Sequence, residues 1–451
     1  MRRASSLALV YSLALALGAT RADAALIHVA AGEVIVDPGN GLCSLREAID
    51  NANAGGDTSG GDCTPGDPGP NRVILASNST YDLPDAADNT SGLSGLPAIR
   101  SAIDIRANGS TIQRSAALFT GDPCNSKMEF RIFFVDIPGA LTLEDAELHN
   151  GCAEFDDSGA GGAIMNLGSA TLINGVVSGN EASLSGGAIQ NDGALELIRT
   201  TVSDNAVIYG AGGGIVNTGT FTSTQSTLSG NGTTGAGGAM YNPGMATLGN
   251  STLSGNAADG TGGGVQNDDS AALVNVTVSA NLAGADSDNP ATTPGGGVYN
   301  DTFNLAVKDL TLANTIVAKQ ISGTDCSGTT SEGHNLDSDG SCAVQPTDLT
   351  SSMPGLGPLA TNGGGTQTQA LLPGSPAIDH ADNATCAAEP VNGIDQRGVH
   401  RPANGGLGLF CDIGAFELAA FKGAPVASVP VLAGLAGLLV LFGVRRLRTR
   451  S

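Results

Sequence analysis

Between residues 161 and 300 the apolar and polar positions of the chain repeat in two interlocked lattices. The segments GGAIMN, GGAIQN, GGGIVN, GGAMYN, GGGVQN and GGGVYN end at Asn166, Asn191, Asn217, Asn242, Asn267 and Asn300, at spacings of 25, 26, 25, 25 and 33. A second motif, S-G-N or a close variant, ends at Asn180, Asn205, Asn231, Asn256 and Asn281, at spacings of 25, 26, 25 and 25. Three places before that Asn stands Val177, Val202, Leu228, Leu253 or Val278, followed by Ser and mostly preceded by Thr, the alternation of a half-buried strand. Leu172, Leu197, Leu248 and Leu273 lie eight places before the Asn, on the opposite parity, so the apolar phase inverts within five residues. An inversion that abrupt requires a corner. Each repeat thus holds two short strands meeting at a bend, and a third that carries Ile164, Ile189, Ile215, Met240, Val265 or Val298.

Three short strands and three corners in about 25 residues form one coil of a right-handed parallel β-helix, an all-β solenoid in which successive coils hydrogen-bond at about 4.8 Å. About ten coils, roughly 48 Å of stack, are expected over residues 71–320, regular from about residue 151. The Gly pair that opens each GG motif suits positive φ or close backbone approach. The Asn columns, Asn166 to Asn300 above all, suit an amide ladder along the axis, and their recurrence on every coil marks them as scaffold. Eight extra residues before Gly295 make a protruding loop. A Ca²⁺ held there between Asp286 and Asp288 is the one cofactor the sequence brings up, and a solvated loop without any cofactor is the simpler reading.

Solenoid ends need covers. Residues 25–70 are expected to form an N-terminal cap, with Ser44 and Glu47 as a capping box and Leu45, Ala48, Ile49 and Ala52 on one helix face. Residues 321–420 form a C-terminal region. The two ends lie outside the fold. Met1-Arg2-Arg3, the apolar run Leu7 to Leu17 and Ala22-Asp23-Ala24 describe a secretory signal cleaved after Ala24. Residues 421–451 carry the uncharged run Val429 to Val444 and then Arg445, Arg446, Arg448 and Arg450, an anchor helix with a cytoplasmic basic tail. This tail resembles the bacterial PEP-CTERM kind of sorting signal, which implies a sorting enzyme as a partner; a plain membrane anchor is the alternative.

The chain has 451 residues with 20 Lys+Arg against 43 Asp+Glu, a net charge of −23. Residues 1–24 and 429–451 hold seven of the basic residues and one acid, so the body between them carries about −29. Nucleic acid is excluded as a partner on that ground. All eight cysteines lie in the body, and an even count in an exported chain favours disulfides. Of the 105 pairings, sequence neighbours are expected to join: Cys43 with Cys63, Cys124 with Cys152, Cys326 with Cys342, and Cys386 with Cys411.

The stretch Cys43-Ser-Leu-Arg-Glu-Ala-Ile49 resembles the signature of bacterial CSLREA-domain proteins. Gly355-Leu-Gly-Pro-Leu359, Asn362-Gly-Gly, Ala370 to Asp379, Asp395-Gln-Arg-Gly398 and Cys411 to Glu417 are similar to the choice-of-anchor-Q region that often accompanies it. The GGAI segments at 161–164 and 186–189 also resemble repeats of polymorphic outer-membrane proteins, although V/L-S-G-N replaces their F-x-x-N and no translocating barrel follows. The resemblance implies an exported right-handed β-helix with a bacterial cell-surface, membrane-anchored or released location, and no activity.

Catalysis has to be judged on chemistry, since pectate-lyase-type enzymes share this architecture. From 151 to 318 there are two basic residues, Arg199 and Lys308, against fourteen acidic ones, so an anionic polymer would be repelled and lacks a base. Inverting hydrolysis needs two carboxyls on opposite sides of a bond. The adjacent pairs Asp156/Asp157 and Asp268/Asp269 sit at coil corners, where solvated turn residues are the rule. His334, in Gly-His-Asn, is similar to the Gly-His-Gly of polygalacturonases, without the accompanying Asp trio and R-I-K motif. No catalytic, cofactor or metal residue is assigned. The expected role is a surface scaffold or adhesion-type protein offering a rigid polar flank to a glycan or other cell-surface ligand. The alternative is a carbohydrate-active hydrolase or lyase, which would need a groove with two or three converging carboxylates.

Overall fold

A computed structural model describes residues 24–118, 124, 128–154, 159–284, 295–301, 309–342, 344–403 and 408–418. It comprises two compact units, residues 1–196 with 205–208 and residues 197–204 with 209–451. The signal segment before Ala24, the Asp156/Asp157 pair, the Asp286–Asp288 loop, Lys308 and the 421–451 tail lie outside the described residues. Among the described residues no helix is long and apolar enough to cross a membrane.

Each unit is a parallel β-helix, because like residues of successive coils pair side by side. In the first unit Ile27, Val73, Ile105, Leu143 and Leu172 stand opposite one another in turn, forming one buried column. Tyr81, Ile112, Leu148 and Val177 form a second column. The corner between the two falls on a left-handed residue, Asp145 (φ 55) in one coil and Asn174 (φ 54) in the next. This is the bend that the phase inversion requires. Phe133, Ile164 and Ile189 form the third column.

The second unit repeats the plan. Val202, Leu228, Leu253, Val278 and Val317 stack in register, as do Ile215, Met240, Val265, Val298 and Cys326. A coil holds one more strand than the sequence suggests. Glu181–Ala182 pairs with Cys152–Ala153 and Ala206–Val207 in the first unit, and Ala257–Ala258 pairs with Gly232–Thr233 and Leu282–Ala283 in the second. Two residues are too few to show a period, so this row leaves no alternation to read.

The two glycines of each GG motif do different work. The first is left-handed, as at Gly161 (φ 67) and Gly237 (φ 75). The second touches the neighbouring coil: a Cβ on Gly238 would lie 2.3 Å from the carbonyl oxygen of Gly263. Only glycine permits that approach.

At the N-terminus the helix Leu45–Ala54 is capped as its sequence requires, Ser44 Oγ accepting from Glu47 N–H and Glu47 Oε2 accepting from Ser44 N–H. Its apolar face is buried, and so are Arg46 and Glu47. Arg46 pairs with Asp85 at 2.7 Å and donates to the Gly95 carbonyl. Toward the other end Leu349–Thr350 closes the coil strands, Leu356–Ala360 and Thr368–Leu371 pair antiparallel, and the short helix Asn383–Ala387 follows. Leu356, Leu371, Ile378, Ile413 and Phe416 share a core with Ile316, Ala318 and Leu336 of the coils.

Disulfides join Cys43–Cys63, Cys124–Cys152, Cys326–Cys342 and Cys386–Cys411, and no cysteine is free. Such bonds persist outside the reducing cytosol and suit an extracellular protein.

Candidate binding surface

The Asn columns point inward and are spent on the coils themselves. Asn166 Nδ2 donates to Asn191 Oδ1 at 2.6 Å in the first unit. In the second, Asn217, Asn242 and Asn267 each donate to the next, ending on Asn300, every step at 2.7 Å. The S-G-N column does the same: the backbone N–H and Nδ2 of Asn256 both donate to Asn281 Oδ1, at 3.0 and 2.9 Å, and the row ends on Gln320. These side chains are buried, as an amide ladder between coils requires, and the Asn rows form no part of the outer flank. Threonine and serine are left to line it.

They do so along one flank of the second unit. Strands Thr220–Thr224, Met245–Gly249, Ser270–Val274 and Asp309–Ala313 pair in parallel register, so residues two apart point outward in equivalent places. Thr220 and Thr222, Met245 and Thr247, Ser270 and Ala272, and Asp309 and Thr311 line a shallow groove of about 390 Å³. Phe221, Ala246 and Ala271 form its floor. Short outward side chains across four coils make the groove. Its described lining contains one carboxylate, Asp309, and no cation.

Of the carboxylates considered from the sequence, the described pair Asp268/Asp269 does not line this groove. Asp268 accepts from Tyr241 Oη at 2.7 Å and from Gln266 Nε2 at 2.8 Å. Burial and the adjacent Asp268 hold the Tyr241 phenol above its ordinary pKa. Asp269 is exposed. His334 occupies a left-handed corner (φ 56) and lies 2.8 Å from the His380 carbonyl oxygen through Nδ1. Among the described residues no three His, Cys, Asp or Glu side chains could hold a metal ion.

One arrangement escaped the sequence reading because its members belong to different coils. Ser178 Oγ lies 2.9 Å from His149 Nδ1, and His149 Nε2 lies 3.4 Å from Glu147 Oε2. The same Nδ1 lies 3.1 Å from the Ser178 carbonyl oxygen. His149 and Ser178 stand opposite each other on paired strands of neighbouring coils, so these contacts tie the two coils together.

Residues 395–401 and 412–417 form a buried polar clasp against the coils of the second unit. Gln396 Nε2 donates to Ser226 O and Thr227 Oγ1, and its Oε1 accepts from Thr252 Oγ1 at 2.6 Å. Arg397 pairs with Asp395 at 2.7 Å and lies over the Phe416 ring, 3.5 Å from its centre. Arg401 and Glu417 are an ion pair at 3.3 Å with both side chains fully buried. Burial pushes Asp412 up to about 6 and Glu417 up to about 7, against the pull of Arg401.

A further buried acid, Asp325, accepts at 2.6 Å from both the N–H and the hydroxyl of Ser338. Burial, with Asp339 and Asp337 beside it, pushes Asp325 up to about 6 despite those bonds. Its folded-state pKa lies above the unfolded value, so its contribution to stability is complete below about pH 4 and is lost as pH rises through 6. Asp325→Asn keeps an acceptor for Ser338 and removes the titration. The difference in stability between the wild type and this variant, read by urea denaturation, is expected to shift in favour of the variant between pH 4 and 7. A pH-independent difference would contradict the assignment.

No protein-family model matches the chain, and no curated protein does. Among solved structures, that of pectate lyase Pel9A is similar, with 12% identity and a TM-score of 0.44 over 88% of this chain and 97% of that one.

Proposed function

We propose that this protein is an exported, non-catalytic scaffold of the adhesion type, displayed at the bacterial cell surface and offering the rigid flank of its β-helix to a glycan. The observation that carries this reading is the lining of the groove: hydroxyls and small apolar groups with Asp309 as the single described carboxylate. General acid–base hydrolysis needs a pair of carboxyls, and elimination from uronates needs cations and a base. The described groove supplies neither. The CSLREA and choice-of-anchor-Q resemblances fit this reading, with the leader ending at Ala24 for export and residues 421–451 for membrane anchoring or for a sorting enzyme. A polysaccharide panel, assayed for binding and for cleavage with and without Ca²⁺, tests it. Retention without release of reducing or unsaturated ends is the expected result, whereas cleavage that a single carboxylate substitution abolishes would replace the scaffold with a carbohydrate-active enzyme.

A further inference from the structure

Resting on the glycan-binding reading above, we infer that the groove takes an uncharged polysaccharide and that Thr247 lies at the centre of its contact surface. The four strands that build it are adjacent coils, so equivalent outward residues repeat at about 4.8 Å and the lined stretch is about 14 Å across, the length of roughly three pyranose units. The volume of about 390 Å³ suits an oligosaccharide segment.

The chemistry of the lining selects the ligand class. Thr220, Thr222, Thr247, Ser270 and Thr311 present hydroxyls, each both donor and acceptor, as sugar hydroxyls are. A carboxylated or sulfated glycan needs cationic donors. The described lining has none, and the only charge, on Asp309, together with the surplus of acids over the whole body, repels an anion. Asp309 instead accepts from neutral hydroxyls. Met245, 57% exposed, supplies an apolar patch for a sugar face, whereas Phe221 is 2% exposed and cannot serve as a stacking platform. Without an exposed ring each groove binds weakly, and display of many copies on one surface would raise the avidity.

The test uses the full chain with soluble glucomannan as the neutral probe and polygalacturonate as the anionic one, read by affinity electrophoresis and by titration calorimetry with the matching oligosaccharides. Thr247→Arg fills the middle of the groove. Thr142→Arg places the same charge on an outward strand position of the first unit and serves as the control. Circular dichroism melting establishes that both variants fold. The expected result is binding of glucomannan that falls at least tenfold in Thr247→Arg and stays within twofold in Thr142→Arg. Glucomannan binding that survives Thr247→Arg would overturn the groove and leave the glycan-binding reading standing. Retention of polygalacturonate alone would overturn the ligand class. Absence of binding to any glycan in the wider panel would overturn both readings.

Discussion

Arg401→Met is expected to destabilise the C-terminal clasp by about 3–5 kcal/mol at pH 8, the usual cost of stranding a buried partner charge. The guanidinium donates to the carbonyls of Asp412 and Gly414 at 2.7 Å each and to that of Ile394 at 3.2 Å, besides its ion pair with Glu417. Glu417 in turn accepts from the N–H groups of Ala403 and Asp412, and Asp412 from those of Asp379 and Leu418. One cation therefore holds together two loops that have no regular secondary structure of their own. Lysine would not replace it, because a single ammonium cannot span three carbonyls and a carboxylate in the geometry of the planar fork. The pH dependence gives the signature. Arg401 is the chief pull lowering Glu417, so its loss raises both acids further above their unfolded values. Stability carried by such raised acids is present at low pH and lost as pH rises, so the variant should be nearest the wild type around pH 5 and furthest from it at pH 8. Urea denaturation, combined with hydrogen exchange of residues 377–417, measures this. A penalty under about 1 kcal/mol, or one that does not grow with pH, would show that packing of the shared apolar core, and not the charge, holds the clasp.

The coil was legible because each turn spends its residues in the same order, so one apolar position per strand returns every 25 residues and the columns can be read down the chain. Val177, Val202 and Leu228 announce a strand in this way, and Gly161 and Asn180 announce corners. The capping helix was legible from Ser44 and Glu47 alone, since a capping box is a local device. Contacts made at a distance were not legible. Nothing around Gln396 indicates that its amide reaches Ser226 and Thr252, more than 140 residues earlier. The burial of Arg46 inside the cap is hidden for the same reason: its partners Asp85 and Gly95 are set by the winding and not by spacing. For the candidate surface the ladder was legible and the groove was not. The Asn columns read as an amide ladder because the amide can donate to one coil and accept from the next, and they form one between coils; what the columns do not show is which outward residues share a face. The groove emerges only once Thr222, Thr247, Ala272 and Thr311 are known to stand side by side.

Asn281→Ala should therefore be far more damaging than its conservative size suggests, with a cost of about 3–5 kcal/mol, since each buried polar group deprived of its partner costs about 1–3 kcal/mol. Asn281 Oδ1 accepts twice from Asn256, from the backbone N–H at 3.0 Å and from Nδ2 at 2.9 Å. Its own Nδ2 donates to the Leu253 carbonyl at 3.2 Å and toward Gln320 Oε1 at 3.3 Å. Alanine removes all four bonds in a site with no measurable exposure, so water cannot enter to replace them without opening the stack. The loss also falls on a corner that is already strained, because Ala280 next to it holds a left-handed backbone (φ 58) without being glycine. Gln320 fills the equivalent place one coil on, donating to the Val278 and Ala318 carbonyls, so a longer amide can make the same kind of bridge. Asn281→Gln is accordingly expected to recover half or more of the lost stability, which a purely steric account of the site would not allow. Thermal and urea unfolding of the two variants decides between them: an Asn281→Ala protein within 1 kcal/mol of the wild type, or an Asn281→Gln protein no better than Asn281→Ala, would mean that the amide row follows from the winding and does not help to hold it.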